Sequence, residues 1–537
     1  MTDHETPTIT RNDWLLFGIL FALVLPLRLW LLCNTEVTAR DSIGYIRYAL
    51  QFERTPWHEV WEKNHQHPGY PICVYLMSLP VRAIDDATTP ENMQLSTQLV
   101  SFLASLALLL PMYLLGRQFF DHTVSFAGTL LYQYLPISAQ HLSDGISEPI
   151  YLLLLVSGLL FMARAIRERN VWSCAACGFF AGLAYLVRPE GLLIVPAFGL
   201  ALILAQFRAD WRSPRGRFFA CGAAMVLTAM LVGSIYVYAT GRITSKLSAI
   251  ETLNNLRKMI LNTSDANAEA GGSVHLFAVT FTPSGSKAVR LTQSASAFGK
   301  ELLQGLHYAG IVPALLGLWW SFAALRRCPG FWGVAIYAMI HSLILIALAM
   351  SVSYVSDRHV MILVLFGSFF VVVGMRELPR KVFTWTKFDS GGAWYRSATT
   401  WFIVLYALLI AASLPKATQR LHGTRVANHQ AGLWLAEHVR IGDVVVDDHA
   451  WSNYYAGMVF QEGRETALPM QHEGICYVVA TRSNDASIDA QRRTAFLNDD
   501  ARVVCYFPER GELAKARVVI HAQLRKREQY PWRLAPE

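Results

Sequence analysis

Charged residues are scarce in this sequence, and their scarcity excludes an ordinary soluble protein. Asp, Glu, Lys and Arg make up 16% of the 537 residues, whereas a soluble chain carries about a quarter. Hydrophobic residues make up 53% and gather in runs of about twenty, the length that crosses a hydrocarbon core. The first run follows a polar Met1–Asp13 and lacks a small-residue cleavage site, so we expect a retained span rather than a signal peptide. The sequence predicts a polytopic membrane protein.

Motifs for nucleic acid and for zinc are also missing. No basic block alternates with aromatic residues, so the formal charge of +8 is better explained by membrane orientation than by nucleic-acid binding. Cys174 and Cys177 form a C-x-x-C inside an apolar run without a second pair, which indicates a packed helix face rather than a zinc site. For Cys476 and Cys505 in the polar tail, a disulfide and two separate thiols both remain open.

Apolar runs separated by polar breakers predict about eleven transmembrane helices. A further apolar segment, Tyr70–Val81, contains Pro71 and Pro80 and is too short to cross, so we expect an interfacial or re-entrant helix there. The predicted spans lie near 13–32, 95–116, 123–141, 148–163, 171–187, 190–207, 218–238, 307–324, 331–352, 360–375 and 398–414.

Clusters of arginine and lysine set the orientation of these spans. Each cluster follows an even-numbered span, which places those loops in the cytoplasm. We therefore expect a multi-pass protein of a bacterial inner (plasma) membrane, with its N-terminus inside and its C-terminal tail periplasmic or extracellular. The basic residues are Arg117, then Arg164, Arg167 and Arg169, then Arg208, Arg212, Arg215 and Arg217, then Arg326 and Arg327, and finally Arg376, Arg380, Lys381, Lys387 and Arg396.

Two loops of the predicted catalytic membrane domain (1–414) and the whole tail (415–537) then share the non-cytoplasmic face. The first loop covers 33–94. The second, 239–306, is rich in Ser, Thr, Asn, Ala and Gly, which is typical both of a mobile segment that closes over a substrate and of a disordered connector. Alternating helix and strand patterns in the tail predict a small α/β domain. Its predicted elements are a helix over Ala427–His438 and strands over Asp443–Asp447, Ile475–Ala480, Ala501–Phe507 and Ala516–Ile520.

Asp41 is the first candidate for catalysis. It lies in the segment 40–45 directly behind the first span, and an imidazole-rich loop with His65 and His67 follows. A carboxylate held at the mouth of a span can abstract a proton at the lipid–water boundary, or it can merely cap the first turn of an interfacial helix. The two histidines can bind a divalent metal together with Asp41, or they can hydrogen-bond a phosphate or a substrate.

Ionisable residues beside the span ends are the second signal, because each costs about 2.5–3.5 kcal/mol at a helix centre. Three further turns bring such residues to the external face, and this convergence predicts an active site at the membrane surface. The residues are Asp144 and Glu148 in 141–149, Arg188 and Glu190 in 188–191, and Asp357, Arg358 and His359 in 356–359.

Several of these residues have a structural alternative. Arg358 can present its planar fork to an anionic headgroup, or it can snorkel to the interface. Arg188 can contact phosphate or pair with Glu190 across the intervening turn. Glu148 precedes Pro149, where a carboxylate stabilises a helix N-terminus whether or not it takes part in catalysis.

The layout and motifs resemble the GT-C class of integral-membrane glycosyltransferases, above all the family of protein O-mannosyltransferases and lipid A aminoarabinose transferases. That family carries an acidic residue soon after span one and then a basic or His residue before proline, where this chain has Asp41 and His67. The segments Leu142–Pro149, Leu186–Gly191 and Asp357–His359 also resemble family segments. The resemblance covers spans one to ten.

The chain departs from the family at three points. Mannosyltransferases pair Asp with Glu, whereas Ser42 follows Asp41 here. Gly69 stands where relatives often carry a second proline, and the tail lacks the carbohydrate-binding domains of eukaryotic relatives. These departures leave the sugar and the acceptor open.

The resemblance implies transfer of a sugar, with inversion, from a polyprenyl-phosphate donor to an acceptor hydroxyl of a protein, lipid or glycan outside the cytoplasm. It implies that Asp41 is the general base and that Arg358, with His67, stabilises the leaving lipid phosphate. It implies no certain cofactor and no metal ligand, although a divalent metal stays an alternative. The expected partners are the donor, an unknown acceptor and membrane lipids, without nucleic acid. Further donor contacts are implied at His65, Arg188, His359 and Tyr45, and the additional acidic candidates are Asp144, Glu148 and Glu190.

Two other classes of function remain as alternatives. A transporter or lipid flippase places charged or broken helices near the bilayer midplane and often shows internal repeats. A non-catalytic subunit of an envelope complex would use the tail for docking. The sequence contains no convincing repeat and its polar residues cluster at one face, which favours the enzyme.

Overall fold

Helices form the membrane domain of the computed structural model. Short 3-10 turns at Pro189–Leu193 and Asp357–Val360 lead into two of them. The described residues are 9–85, 87–208, 214–244, 287–352, 355–385, 397–440, 443–447, 450–458, 474–481, 501–508, 513 and 516–525, so the interior of the predicted 239–306 loop lies outside them. The helices are α1 (Arg11–Cys33), α2 (Arg40–Gln51), α3 (Trp57–Lys63), α4 (Gly69–Asp85), α5 (Pro90–Arg117), α6 (His122–Tyr134), α7 (Pro136–His141), α8 (Glu148–Glu168), α9 (Val171–Val187), α10 (Ile194–Gln206), α11 (Arg215–Thr240), α12 (Lys287–Gly305), α13 (Ile311–Leu325), α14 (Pro329–Val352), α15 (Met361–Trp385) and α16 (Ala398–Ala417).

Each predicted span coincides with helical residues. In the described part of the chain, eight helical segments are long and apolar enough to cross a membrane, and α9 and α13 are shorter apolar helices. The prediction of one continuous span over 123–141 is wrong. The segment is divided into α6 and α7 because Leu135, extended at φ −61° and ψ 133°, precedes Pro136 and cannot continue the helix. The polytopic α-helical membrane fold is confirmed, and the number of spans stays a prediction.

The short helix α9 packs closely on α11. A Cβ atom at Gly178 of α9 would lie 2.1 Å from the carbonyl oxygen of Met225 on α11, so a side chain at this position would push the two backbones apart. Cys174 and Cys177 of α9 are both buried among apolar side chains. Their burial confirms the interpretation of the C-x-x-C as a packed helix face.

The first long loop, predicted to be external, folds into the helices α2, α3 and α4. The predicted helix over Tyr70–Val81 is confirmed as α4, which has 17 residues and contains Pro80. It is not one of the membrane-crossing candidates in the described chain. Tyr45 of α2 meets Tyr70 of α4 edge-on, with ring centroids 4.7 Å apart. The helix that begins beside Asp41 is therefore packed against the rest of the loop.

The tail contains a small mixed sheet with helices beside it, which confirms the predicted α/β unit. In the described residues the strand order is β1-β2-β4-β3, with β1 parallel to β2 and with β4 antiparallel to both of its neighbours. The last strand begins at Val518 and runs to Arg525, later than the predicted Ala516–Ile520. The elements are α17 (Val426–His438), β1 (Val444–Asp447), α18 (Trp451–Tyr455), β2 (Gly474–Thr481), β3 (Arg502–Phe507) and β4 (Val518–Arg525).

The two cysteines of this sheet lie on strands that are not neighbours. Cys476 is on β2 and Cys505 is on β3, and β4 lies between them. Two strand spacings amount to about 10 Å, whereas the Cα atoms of a disulfide lie about 4.4–6.8 Å apart. The disulfide alternative is therefore wrong for this structure.

Candidate active site

Five side chains from four turns form a continuous row of alternating carboxylates and guanidiniums. Arg358 donates from Nη1 to Oδ2 of Asp41, and its Nε lies 3.8 Å from Oε1 of Glu148. Arg188 donates from Nη1 to the same Glu148 oxygen at 2.5 Å, and its Nε lies 3.5 Å from Oε2 of Glu190. The structure thus brings together residues that are far apart in the sequence. We call Asp41, Arg358, Glu148, Arg188 and Glu190, in that order, the ion-pair row.

Helix ends place the members of the ion-pair row. Asp41 lies in the first turn of α2 and Glu148 is the first residue of α8, where the helix dipole favours a carboxylate. Arg188 follows the last residue of α9 in an extended conformation, and Arg358 lies in the 3-10 turn before α15. The N-cap of α2 is Ala39, so the interpretation of Asp41 as a helix cap is wrong.

Burial is greatest in the middle of the ion-pair row and decreases towards Asp41. The side chains of Glu148 and Arg188 are 4% and 11% exposed, whereas those of Arg358 and Asp41 are 31% and 43% exposed. Burial lowers the pKa of Arg188, but the carboxylates of Glu148 and Glu190 outweigh burial and raise it above its usual range. Arg188 therefore stays charged. Glu148 is a buried counter-charge for two arginines, and Asp41 is the most exposed carboxylate of the row.

Two histidine–aspartate pairs flank the ion-pair row. His141 Nε2 lies 3.1 Å from Oδ2 of Asp357, and His422 Nε2 lies 2.8 Å from Oδ2 of Asp144. Sequence analysis singled out both carboxylates but assigned no role to either histidine. His141 could have been found because it belongs to the same turn as Asp144. His422 lies in the tail, and no sequence signal connects it to this turn.

The His422–Asp144 pair gives a prediction about pH. Burial lowers the pKa of His422, but Asp144 outweighs burial and raises it above its ordinary value. The pair should therefore stabilise the fold fully below about pH 6.5 and lose this contribution as the pH rises through the raised pKa. We expect the difference in unfolding temperature between wild type and His422→Gln to shrink from about pH 5.5 to about pH 9. His438→Gln, at an exposed position at the end of α17, is the control, and a pH-independent difference for His422→Gln would contradict the assignment.

Tyr45 and its neighbour Ser42 tie α2 to the turn that leads into α8. The Tyr45 hydroxyl donates to Oγ of Ser147 at 3.1 Å, and the Ser42 hydroxyl donates to the carbonyl oxygen of Gly145 at 2.5 Å. Burial, followed by the charges of Glu148 and Asp41, raises the pKa of Tyr45. Tyr45 is therefore a protonated donor close to the ion-pair row.

His67 lies against α9 and α11 rather than in the ion-pair row. Its side chain is 1% exposed, its ring stacks on Tyr236 with centroids 4.6 Å apart, and its Nε2 lies 3.2 Å from Oγ1 of Thr244. Close packing at the nearby Gly69 explains why this chain has glycine where relatives often carry a second proline. A Cβ atom there would lie 2.7 Å from the carbonyl oxygen of Leu186. The resemblance implied that His67 acts together with Arg358, but in the structure His67 contacts Tyr236 and Thr244.

The remaining imidazoles are also outside the ion-pair row. His65 is exposed. His359 accepts a hydrogen bond from the backbone N–H of Ser356 at its Nδ1, at 3.2 Å, and so fixes the turn that carries Arg358. Among the residues that the structure describes, no group of three or more His, Cys, Asp and Glu side chains is placed to hold a metal ion. A divalent metal stays an alternative, as it was from the sequence.

Arg28 supports the site from within α1, and sequence analysis overlooked it. Its side chain is 0% exposed and donates from Nη1 to the Ala139 carbonyl and to Oγ of Ser143, both at 2.8 Å, and from Nη2 to Gln133. The available signal was a cation inside an apolar span, which is costly unless its donors meet acceptors. Arg28 holds the end of α7 and the start of the turn before α8.

Comparison with known proteins gives one family match by sequence. Residues 90–236 match the model of a family described as dolichyl-phosphate-mannose-protein mannosyltransferase. This segment contains Glu148, Arg188 and Glu190 of the ion-pair row. No curated protein matches the chain in sequence.

Solved structures match over most of the chain. ArnT from Cupriavidus metallidurans bound to undecaprenyl phosphate is 13% identical, with a TM-score of 0.54 over 96% of this chain and 98% of that chain. The oligosaccharyltransferase of Archaeoglobus fulgidus in its apo form is 13% identical, with a TM-score of 0.50 over 87% and 69% of the two chains. The oligosaccharyltransferase AglB from Archaeoglobus fulgidus, in complex with an inhibitory peptide and a dolichol-phosphate, is 14% identical, with a TM-score of 0.50 over 84% of this chain and 64% of that chain. The fold is that of GT-C glycosyltransferases, and the resemblance found in the motifs is confirmed.

Proposed function

We propose that this chain is a glycosyltransferase that moves a sugar from a polyprenyl-phosphate donor to an acceptor hydroxyl on the non-cytoplasmic side of an inner membrane. The family match and the GT-C fold support a glycosyltransferase with a lipid-linked donor. The ArnT structure contains undecaprenyl phosphate and the AglB structure contains a dolichol-phosphate, which supports a polyprenyl phosphate here. The observation that carries the proposal is the exposed Asp41 carboxylate held by Arg358 at the end of the ion-pair row.

The proposed reaction is a single displacement with inversion. Asp41 takes the proton of the acceptor hydroxyl while that oxygen attacks the anomeric carbon, a contribution of about 10²–10⁴-fold to the rate. The bond between the anomeric carbon and the phosphate oxygen breaks, and polyprenyl phosphate leaves with its electron pair. Arg358 stabilises the negative charge that develops on this phosphate.

The ion pair between Asp41 and Arg358 places the proposed base beside the proposed phosphate contact. Arg358 donates to Oδ2 of Asp41, and a carboxylate has a second oxygen that can accept the acceptor proton. Glu148, 3.8 Å from Arg358 Nε, is a second carboxylate partner that keeps the guanidinium near the site. A donor phosphate bound by Arg358 would thus lie next to Asp41.

Donor binding by Arg358 tests the proposal. We expect the full-length protein in lipid nanodiscs to bind undecaprenyl phosphate and to release it from an undecaprenyl-phosphate sugar when an acceptor is present. Arg358→Ala should weaken undecaprenyl phosphate binding by about tenfold or more, since a charge-assisted hydrogen bond contributes about 1.5–3 kcal/mol. Arg82→Ala is the matched control because Arg82 makes a comparable pair with Glu53 at the far end of α2. Unchanged affinity for Arg358→Ala would show that this residue does not bind the donor phosphate.

The orientation in the membrane gives a further prediction. Reporter fusions at Arg212 and at Arg380 should read as cytoplasmic, because each lies in a sequence segment rich in positive charge that follows an even-numbered predicted span. A fusion after Arg420 should read as external. A cytoplasmic reading for the tail would overturn the orientation and, with it, the proposed external site.

A further inference from the structure

Helix α18 of the tail is hydrogen-bonded to the chain segment that precedes Asp41. Trp451 donates from Nε1 to the carbonyl oxygen of Thr38 at 2.9 Å, and the Thr38 N–H donates to the Tyr455 hydroxyl at 2.8 Å. Both backbone groups of Thr38, three residues before Asp41, are therefore bonded to one helix of the C-terminal domain. The contact is buried, since Thr38, Trp451 and Tyr455 are 1%, 6% and 3% exposed.

Tyr455 also hydrogen-bonds a residue of α5. Tyr455 donates from its hydroxyl to Oε1 of Gln94 at 2.6 Å, and Gln94 donates from Nε2 to the carbonyl oxygen of Thr35 at 3.1 Å. On the tail side, Asp447 at the end of β1 accepts the N–H of Ser452 at 2.7 Å and so fixes the start of α18 to the sheet. A buried hydrogen-bond network of this kind holds its members in one geometry.

The part of the tail that precedes α17 is connected to the residue that follows Asp41. His422 contacts Asp144, and Oδ1 of Asp144 accepts the N–H of Gly145 at 2.9 Å. The Gly145 carbonyl in turn accepts the hydroxyl of Ser42, the residue after Asp41, at 2.5 Å. The tail therefore constrains the chain both before and after the carboxylate.

We infer that the C-terminal domain positions the general base, with Tyr455 and Trp451 as positioning residues that act through Thr38. The inference rests on the proposed function, because it assumes that Asp41 is the base. A reacting group displaced by about 1 Å can cost about 10²-fold in rate. The proposed transferase would consequently depend on its tail for turnover, although the tail supplies no member of the ion-pair row.

Two tyrosines of α18 provide a matched pair of variants in the full-length protein. Tyr455→Phe removes the hydroxyl at Thr38, whereas Tyr454→Phe removes a hydroxyl that donates at 2.6 Å to the carbonyl of Pro90, at the start of α5. We expect Tyr455→Phe to lower kcat about five- to tenfold with a nearly unchanged KM for the undecaprenyl-phosphate sugar. Amide hydrogen exchange over 36–41 should accelerate in the same variant, and Tyr454→Phe should change neither quantity.

The possible outcomes separate this inference from the proposed function. A wild-type protein without sugar transfer would overturn the proposed function, and the role of α18 with it. Normal kcat in Tyr455→Phe together with faster exchange over 36–41 would overturn the inference alone, because the contact would then serve only docking. If Tyr455→Phe does not fold, Trp451→Phe, which removes the donor to the Thr38 carbonyl, takes its place with the same expected results.

Discussion

Asp41→Asn is expected to reduce sugar transfer by about 10²–10⁴-fold, the usual contribution of a positioned general base. Asparagine keeps the size of the side chain and can still accept a hydrogen bond from Arg358, but it cannot take a proton from the acceptor hydroxyl. Expression, unfolding temperature and undecaprenyl phosphate binding should therefore stay close to wild type. The measurement is the initial rate of polyprenyl phosphate release from the labelled donor in nanodiscs.

Glu53→Gln is the matched control for this substitution. Glu53 follows the far end of α2 and pairs with Arg82, so the same loss of charge occurs in an ion pair away from the site. Transfer at the wild-type rate by Asp41→Asn would show that Asp41 is not the general base. A wild-type protein that moves lipid across the membrane without transferring sugar would instead favour the flippase alternative.

The positions of the site residues at helix ends could be predicted from the sequence. Apolar runs fix where the helices lie, and prolines and polar residues fix where they stop. Glu148 before Pro149 and Arg188 before Pro189 therefore had to lie at span ends. Sidedness then followed from the basic loops, which placed these turns on one face with Asp41 and Arg358. Local composition was sufficient because helix ends are decided within a few residues.

Apart from the Arg188–Glu190 pair, which the intervening turn predicted, the pairing of these residues could not be predicted, because it depends on contacts between distant helices. Glu148 was interpreted as a helix N-terminal carboxylate, and it does begin α8, but its main partners are Arg188 and Arg358 from two other turns. His67 matched a family motif, yet Tyr236 of α11 buries it in an aromatic contact. The His422–Asp144 pair joins residues 278 positions apart, and periodicity carries no information at this distance.

Glu148→Gln is expected to cause the largest loss of stability in the site. Glu148 is the nearest counter-charge of Arg188, and both side chains are buried. Removing one partner of such a pair leaves an uncompensated charge in a low dielectric and costs about 3–5 kcal/mol. The unfolding temperature, followed by tryptophan fluorescence, should fall clearly. Glu190→Gln should cost less than about 1 kcal/mol, since Glu190 is 32% exposed and lies 3.5 Å from the same arginine.

A second substitution distinguishes the loss of the counter-charge from a packing defect. Arg188→Met in the Glu148→Gln background removes the uncompensated guanidinium, and replacing both partners of a buried pair is often nearly neutral. The double variant should recover most of the unfolding temperature lost in Glu148→Gln. Sugar transfer should stay low, because Arg358 still lacks the carboxylate of Glu148 as its second partner. A double variant no more stable than Glu148→Gln would show that packing, not charge, caused the loss.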